Sequence, residues 1–125
     1  MMGKALVVDD SKAIRMILTR ILTGLGFEVL EAVNGIEALK VIEAEKNPVS
    51  LILLDWNMPE MNGMELLKQL RQSPALCSPV VVMVTTETEM SHMAAALEAG
   101  ANEYVMKPFT RDIIVEKLQL AGISI

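Results

Sequence analysis

The feature that most constrains the fold is a fivefold alternation of short apolar runs with helical patterns. The apolar runs lie at residues 4–8, 27–32, 50–54, 79–84 and 103–106. Most of them are apolar without interruption, which is typical of strands that are covered on both faces. Strands that alternate with helices form parallel sheets with right-handed crossovers. The pattern therefore predicts an α/β fold, with a doubly wound sheet of five parallel strands and five helices.

Each of the five helical patterns carries its own boundary signals. The first has one apolar stripe, formed by Ile14, Ile17, Leu18, Ile21, Leu22 and Leu25. The second and third begin with "NGIEAL" and "NGMELL", where an Asn cap is followed three residues later by Glu, a capping-box pattern. The fourth spans about residues 90–99 and stops at Gly100, which suits the left-handed position after a helix. The fifth begins near Thr110 and runs to about Leu120.

Length, charge and cysteine content exclude several classes of protein. A chain of 125 residues fits one domain, which we predict over residues 1–125. The net charge of −5 argues against direct nucleic-acid binding. No apolar run approaches the roughly 18 residues of a membrane span, and no signal peptide is apparent. The single cysteine, Cys77, cannot form an internal disulfide, so we expect a reduced, cytoplasmic setting. We also expect a monomer.

Polar residues follow four of the five apolar runs, and they point to a function. Asp9 and Asp10 follow the first run, Asp55 the third, Thr85 the fourth and Lys107 the fifth. In a doubly wound sheet, ligands bind outside the carboxyl ends of the strands. Each of these residues alone has an ordinary explanation as a turn, a cap or a solvated charge. Because all of them are predicted to lie at the same edge of the sheet, together they favour a functional site.

The chemistry of this set favours phosphoryl transfer. Three carboxylates at one edge repel one another unless a cation joins them, and hard oxygen ligands suit Mg²⁺. Lys107 adds a fixed positive charge, and a threonine hydroxyl can donate to a phosphoryl oxygen. A carboxylate nucleophile, a divalent ion and a lysine together can stabilise the charge of a transferred phosphoryl group. The sequence therefore predicts Mg²⁺ as cofactor and Asp55 as phosphoryl acceptor.

Four stretches, "LVVDDS", "LLDWNMPEMNG", "VVMVTTETE" and "GANEYVMKPFT", resemble the receiver domain of two-component response regulators, most closely the single-domain chemotaxis regulators. The resemblance covers nearly the whole chain and implies a flavodoxin-like sheet with strand order 2-1-3-4-5. It implies that Asp55 is the phospho-acceptor and that Asp10 and Asp55 bind Mg²⁺ directly. Asp9 would act through water, and Asn57 would give its backbone carbonyl.

The same resemblance implies roles for the residues around the acceptor. Lys107 would contact the phosphoryl group, and Thr85 would be the hydroxyl that moves toward it. Tyr104 matches the aromatic switch residue, which alternates between outward and inward positions. Asn57 and Glu87 stand where the family tunes hydrolysis of the phosphoryl group. A further implication concerns residue 86, because a threonine there is bulkier than the alanine often found and would hinder the inward position of the aromatic ring.

A histidine kinase is the phosphodonor that the resemblance implies. The chain ends soon after the fifth helix, so we expect the signal to pass by protein contact, with a flagellar motor switch protein as the leading target. The expected contact surface is the face formed by the fourth helix, fifth strand and fifth helix, which carries Met90, Met93 and Tyr104. Trp56 is expected to pack at a strand edge and to report Mg²⁺ by its fluorescence. His92 is expected at the surface.

Several alternative functions stay open at this point. A phosphorelay intermediate or a regulator of another process would carry the same acceptor site. An Asp-nucleophile phosphatase would normally need a second Asp two residues after the first, where this chain has Asn57. A dinucleotide enzyme would need G-x-G-x-x-G after the first strand, where the chain reads "DDSKAI". A receiver that serves only for docking would lack acceptor groups that are present here.

Overall fold

Five strands and five helices alternate along the chain in a computed structural model that describes residues 3–46, 48–73, 79–86 and 90–125. Met90 and Ser91 are described by their backbone alone, and the predictions for Cys77 and Glu87 lie outside the described residues. In order, the elements are β1 (Lys4–Val8), α1 (Lys12–Gly24), β2 (Glu28–Ala32), α2 (Gly35–Ala44), β3 (Val49–Leu54), α3 (Gly63–Gln72), β4 (Val80–Thr85), α4 (Met90–Glu98), β5 (Glu103–Met106) and α5 (Arg111–Leu120).

The strands form one parallel sheet in the order β2-β1-β3-β4-β5, which confirms the predicted fold class and strand order. Backbone hydrogen bonds continue the ladder past the strand ends. The Asp9 N–H donates to the Ala32 carbonyl (3.1 Å) and the Asp55 N–H donates to the Val8 carbonyl (2.9 Å). These bonds place the two acidic residues side by side at the carboxyl edge of the sheet.

The core lies on both faces of the sheet, which explains why the central strands are apolar without interruption. One cluster packs beneath α2, α3 and α4 and includes Leu6, Ile52 and Met83. The other packs beneath α1 and α5 and includes Leu51 and Val82. Strand β2 lies at an edge of the sheet and is less buried, and its sequence includes the polar residues Glu28 and Glu31.

Helix caps form where the sequence predicted them. The Ser11 side chain caps α1 by accepting from the Ile14 N–H, so Asp10 is not needed for this role. Asn62 and Glu65 form a complete capping box at the start of α3. At α2 the box is incomplete, because the Glu37 carboxylate accepts from Val33 instead of from the cap residue.

Several strand boundaries differ from the prediction by one residue, and one glycine prediction is confirmed. At the carboxyl edge, Thr85 is the last residue of β4, paired with Met106, and does not follow the strand. At the opposite edge, β3 begins one residue earlier than predicted, and β2 and β4 begin one residue later. Gly100, two residues beyond the end of α4, has a φ of +114°, the left-handed backbone that glycine adopts most easily.

Candidate functional site

The Asp55 carboxyl group is the centre of the polar cluster. It directly follows β3, and its residue is 6% exposed. The carboxylate accepts hydrogen bonds from the Thr85 hydroxyl and from the Trp56 backbone N–H. Thr85 itself is fully buried at the end of the neighbouring strand β4. The sheet register therefore brings the hydroxyl and the carboxylate together, as the sequence predicted.

The ammonium group of Lys107 stands between two of the carboxylates. Its Nζ lies 2.8 Å from Asp9 Oδ2 and 3.6 Å from Asp55 Oδ2. The Lys107 N–H also donates to the Thr85 carbonyl at 2.9 Å, which extends the ladder between β4 and β5. The peptide bond between Lys107 and Pro108 is cis. The fixed positive charge predicted for this edge is thus in place and is closest to Asp9.

The carboxylate of Asp9 is fully engaged by its surroundings, whereas that of Asp10 is open to solvent. Asp9 is 1% exposed, and its Oδ1 accepts from the Ser11 N–H at 2.8 Å. Asp10 is exposed, and within the described parts of the chain its side chain makes no hydrogen bond or ion pair. An incoming cation would therefore meet a buried, hydrogen-bonded carboxylate at Asp9 and a solvent-exposed carboxylate at Asp10.

A divalent cation fits the donor set at this edge. One oxygen from each of Asp9, Asp10 and Asp55 lies within 4.8 Å of the others. Three carboxylate oxygens at this separation are the hard ligands that Mg²⁺ prefers, and an exposed third side leaves room for the waters it retains.

The electrostatics of Asp55 also favour a cation. Burial raises the pKa of its carboxyl group above the ordinary value of 3.8, and the negative charge of Asp9 raises it further. Lys107, the Thr85 hydroxyl and the Trp56 N–H act in the opposite direction but do not cancel the rise. A positive ion beside the carboxylate would offset the cost of desolvation and of repulsion.

Arg15 is a residue of this region that the sequence analysis missed. Its Nη1 donates to the Asp9 backbone carbonyl at 2.7 Å, and its Nε donates to Glu31 at 3.1 Å. It thereby fixes the peptide that joins the two acidic residues after β1. Arg15 lies one turn after the Ser11 cap, which places it near that peptide. The sequence alone does not distinguish a helical arginine with this role from one that is simply exposed to solvent.

The residues expected to modulate the site lie in different environments. Asn57 is exposed in the loop after β3. Tyr104 is buried and only 5% exposed. Thr86 is exposed. Glu87 lies outside the described residues.

His92 is not the plain surface residue that the sequence suggested. It is half-buried, and its ring stacks on Trp56 with centroids 5.0 Å apart and an angle of 27° between the planes. Trp56 also packs against the core cluster beneath α3 and α4, so its expected packing role is confirmed. The histidine was placed wrongly because its contact is with a residue far away in the sequence.

The face formed by α4, β5 and α5 carries exposed apolar side chains other than those predicted. Met93 is half-buried against the core, Tyr104 is buried, and the Met90 side chain lies outside the described residues. The exposed large apolar residues on these three elements are Leu97, Met106, Ile113 and Leu120. Of the residues predicted for this face, Met93 and Tyr104 are thus not among its exposed apolar side chains.

Comparison with known proteins identifies the family. Residues 5–119 match the response regulator receiver domain. The chain belongs to this family. The receiver domain is 42% identical over 118 residues to chemotaxis protein CheY1 of Helicobacter pylori, which covers 94% of each chain. It is 44% identical over 117 residues to the chemotaxis protein CheY homolog of Campylobacter jejuni, covering 93% of this chain and 89% of that protein.

Solved structures agree with this assignment. The receiver domain is similar to the chemotaxis response regulator CheY4 of Vibrio cholerae, with a TM-score of 0.86, 33% identity and coverage of 97% and 99% of the two chains. It is also similar to a CheY-like receiver domain from Methanospirillum hungatei, with a TM-score of 0.81, 34% identity and coverage of 94% and 90%. The predicted resemblance to CheY-type receivers is confirmed.

The length of the helices bears on membrane association. Among the described residues of the receiver domain, none of the helices combines the length and the apolar character needed to cross a bilayer.

Proposed function

We propose that this receiver domain is a phosphorylation-operated switch in which Asp55 accepts the phosphoryl group. One observation carries the proposal: the Asp55 carboxylate accepts a hydrogen bond from the Thr85 hydroxyl and lies 3.6 Å from the Lys107 ammonium group. Asp9 and Asp10 complete a cluster of three carboxylates around it. A nucleophile, a cation site and two donors for phosphoryl oxygens therefore share one strand edge.

The transfer step follows from this arrangement. One Asp55 oxygen attacks the phosphorus of a phosphohistidine, a P–O bond forms, and the P–N bond breaks. The bonding electrons leave with the imidazole of the donor, which regains its neutral form by taking up a proton. Lys107 and Thr85 then donate to phosphoryl oxygens, because charge-assisted donors at fixed positions stabilise them best. The product is an acyl phosphate.

The oxygen donors around Asp55 make Mg²⁺ part of this proposal. Asp10, Asp55 and the Asn57 backbone carbonyl would hold the ion directly, and Asp9 would act through water. When bound, Mg²⁺ supplies positive charge that offsets the negative oxygens of the phosphoryl group. Lys107 supplies the remaining fixed charge from the Asp9 side.

The lifetime of the phosphorylated form depends on how water reaches the acyl phosphate. We assign this control to Asn57 and Glu87, which match the positions at which receiver domains tune hydrolysis of the phosphoryl group. Asn57 is exposed in the loop after β3 and can reach solvent around the site. The protein thus catalyses its own phosphorylation and the hydrolysis of its own acyl phosphate, but it does not turn over a separate substrate.

The partners follow from the family and from the exposed apolar face. A histidine kinase is the phosphodonor, and the relatives named as chemotaxis proteins favour a pathway of that kind, in the cytoplasm. The output surface is the face of α4, β5 and α5, where Leu97, Met106 and Ile113 are exposed. A flagellar motor switch protein is the leading target. A phosphorelay or another regulatory pathway is the alternative.

Incubation with a small acyl phosphate tests the acceptor chemistry without a kinase. We expect Mg²⁺-dependent incorporation of one phosphoryl group per chain. Asp55→Asn should abolish incorporation, and Asp10→Asn should slow it, whereas Asp112→Asn on the exposed surface of α5 serves as the matched control. Incorporation that persists in Asp55→Asn, or that does not need a divalent ion, would contradict the proposal.

A retention experiment tests the switch separately from the chemistry. Beryllofluoride with Mg²⁺ gives a mimic of the acyl phosphate, and the loaded protein is compared with Asp55→Asn in binding to the motor switch protein. We expect retention by the loaded form only, with Leu97→Ala and Met106→Ala weakening it. A target retained equally by both forms would refute the switch.

A further inference from the structure

The single tryptophan and the single histidine of this chain stack on each other across two elements. Trp56 directly follows Asp55 in the loop between β3 and α3, whereas His92 is the third residue of α4. The ring centroids are 5.0 Å apart, within the range in which aromatic pairs attract beyond simple burial. The stack therefore joins the loop after the acceptor to the first turn of α4.

The backbone of Trp56 is tied to the acceptor and to α3. Its N–H donates to the Asp55 carboxylate, and its carbonyl accepts from the Gly63 N–H at 2.9 Å. An ionised carboxylate oxygen is a strong acceptor, and it weakens when it becomes bonded to phosphorus. Phosphorylation of Asp55 therefore changes the acceptor of the Trp56 N–H, at the residue that carries the indole.

Among the side chains of helix α4 that the structure describes, few make apolar contacts that would hold the helix in place. Among its described side chains, Ala96 is fully buried and Met93 is half-buried. Helix α3, which is one residue longer, fully buries Leu66, Leu67 and Leu70. A buried alanine removes much less apolar area from water than a leucine does. A side-chain contact at the first turn of α4 therefore carries a large share of the attachment of that helix.

We propose that the Trp56–His92 stack couples the state of Asp55 to the position of the first turn of α4. This inference rests on the proposed acceptor role of Asp55. The stack occurs together with the hydrogen bond from Trp56 N–H to the carboxylate, so it belongs to the arrangement of the unmodified acceptor. Phosphorylation weakens that hydrogen bond, the indole shifts, and the first turn of α4 is released from the loop. His92 is thus a positioning residue for α4.

The expected size and sign of the coupling follow from reciprocity. An aromatic pair of this kind shifts an equilibrium about two- to ten-fold. Because the stack favours the unmodified arrangement, its removal should raise the affinity for an acyl-phosphate mimic by the same factor. His92→Ala should therefore bind beryllofluoride, in the presence of Mg²⁺, about two- to ten-fold more tightly. His92→Phe, which keeps an aromatic ring, should stay within about two-fold of the wild type.

Nuclear magnetic resonance provides a readout that a merely structural role would not move. The ring protons of the single histidine report the ring current of the single tryptophan. We expect their shifts to change when beryllofluoride and Mg²⁺ are added to the wild type. In Trp56→Leu this change should disappear, and the amide shifts of the first turn of α4 should no longer respond fully to loading. Glu98→Gln, an exposed change on the same helix, is the control and should respond as the wild type does.

The outcomes separate this inference from the proposed function. Binding of beryllofluoride is measured independently by ¹⁹F resonance, so a failure to load refutes the acceptor role of Asp55 itself. Loading with unmoved His92 ring protons, or with equal affinity in His92→Ala and wild type, refutes the coupling alone. Should Trp56→Leu fail to fold, the His92→Ala and His92→Phe pair still decides between the two results.

Discussion

The ammonium group of Lys107 lies 2.8 Å from Asp9 Oδ2 and 3.6 Å from Asp55 Oδ2, so one lysine serves two buried carboxylates. The two acids directly follow β1 and β3, which are neighbours in the sheet, and the lysine directly follows the edge strand β5. The ammonium group competes with a metal ion for these carboxylates, and it can also donate hydrogen bonds to the oxygens of a phosphoryl group. Replacement of the lysine should separate these two effects.

Lys107→Met should strengthen Mg²⁺ binding and weaken phosphorylation. Without the ammonium group, the carboxylates of Asp9 and Asp55 repel each other more, so a divalent ion should bind several-fold more tightly. The unpaired Asp9 should lower the free energy of unfolding by about 1–3 kcal/mol when Mg²⁺ is withheld. Incorporation from an acyl phosphate should slow at least about ten-fold, because one donor to the phosphoryl oxygens is lost.

Titration of Trp56 fluorescence with Mg²⁺ measures the binding part of this prediction. Lys117→Met, which removes a partly exposed ion pair with Glu103 (3.4 Å), is the matched control and should leave the Mg²⁺ affinity unchanged. A Lys107→Met protein that binds Mg²⁺ more weakly than wild type would show that the lysine does not compete for these carboxylates.

Asp10→Asn should weaken Mg²⁺ binding about ten-fold or more while changing the stability of the metal-free protein little. The side chain is exposed and engages no other described side chain, so its loss removes a ligand but no internal contact. Isothermal titration calorimetry measures the affinity, and thermal unfolding with a chelator measures the stability. Asp112→Asn provides the comparison for the loss of one exposed acid. Equal Mg²⁺ affinity in the two variants would remove Asp10 from the metal site.

Asp55→Asn should stabilise the protein at neutral pH in the absence of a divalent ion. Burial and the charge of Asp9 raise the pKa of Asp55, so the folded protein binds its proton more tightly than the unfolded chain does. Stability therefore falls as the pH rises from the ordinary value of 3.8 through the raised pKa, and the variant escapes this loss. The gain should be on the order of 1 kcal/mol at pH 7.

Denaturant unfolding at several pH values measures this difference. The gain of Asp55→Asn over wild type should shrink as the pH is lowered toward 3.8, where the wild-type carboxyl becomes protonated. Added Mg²⁺ should stabilise the wild type more than the variant. A gain that grows as the pH falls would reverse the sign of the linkage and contradict the raised pKa.

Gly63→Ala should disturb the acceptor loop directly. A Cβ atom at this position would lie 2.1 Å from the Asp55 backbone carbonyl oxygen, so the backbone would have to shift. We expect a loss of about 3 kcal/mol in the free energy of unfolding, together with weaker Mg²⁺ binding. Gly24→Ala, at the end of α1 with open space around the added Cβ, should be neutral or stabilising by up to about 1 kcal/mol. Equal effects of the two changes would contradict the close approach.

The sequence predicted the fold and the gathering of the acidic residues because both depend on local periodicity and on one topological rule. Residues at the carboxyl ends of parallel strands meet at one edge of the sheet, so the sequence could place Asp55, Thr85 and Lys107 together. Tertiary contacts between distant segments could not be predicted in this way. The stacking of His92 on Trp56 and the bond from Arg15 to the Asp9 carbonyl depend on how helices settle against loops.

Chemical trapping of the acceptor tests the central claim most directly. The protein is treated with a small acyl phosphate and Mg²⁺ and then reduced with borohydride, which converts an aspartyl phosphate to homoserine. Peptide mass spectrometry then locates the modified residue. We predict homoserine at position 55 and an unchanged Asp9, Asp10 and His92. A modification at any of those three, or none at position 55 while the folded protein binds Mg²⁺, would contradict the account.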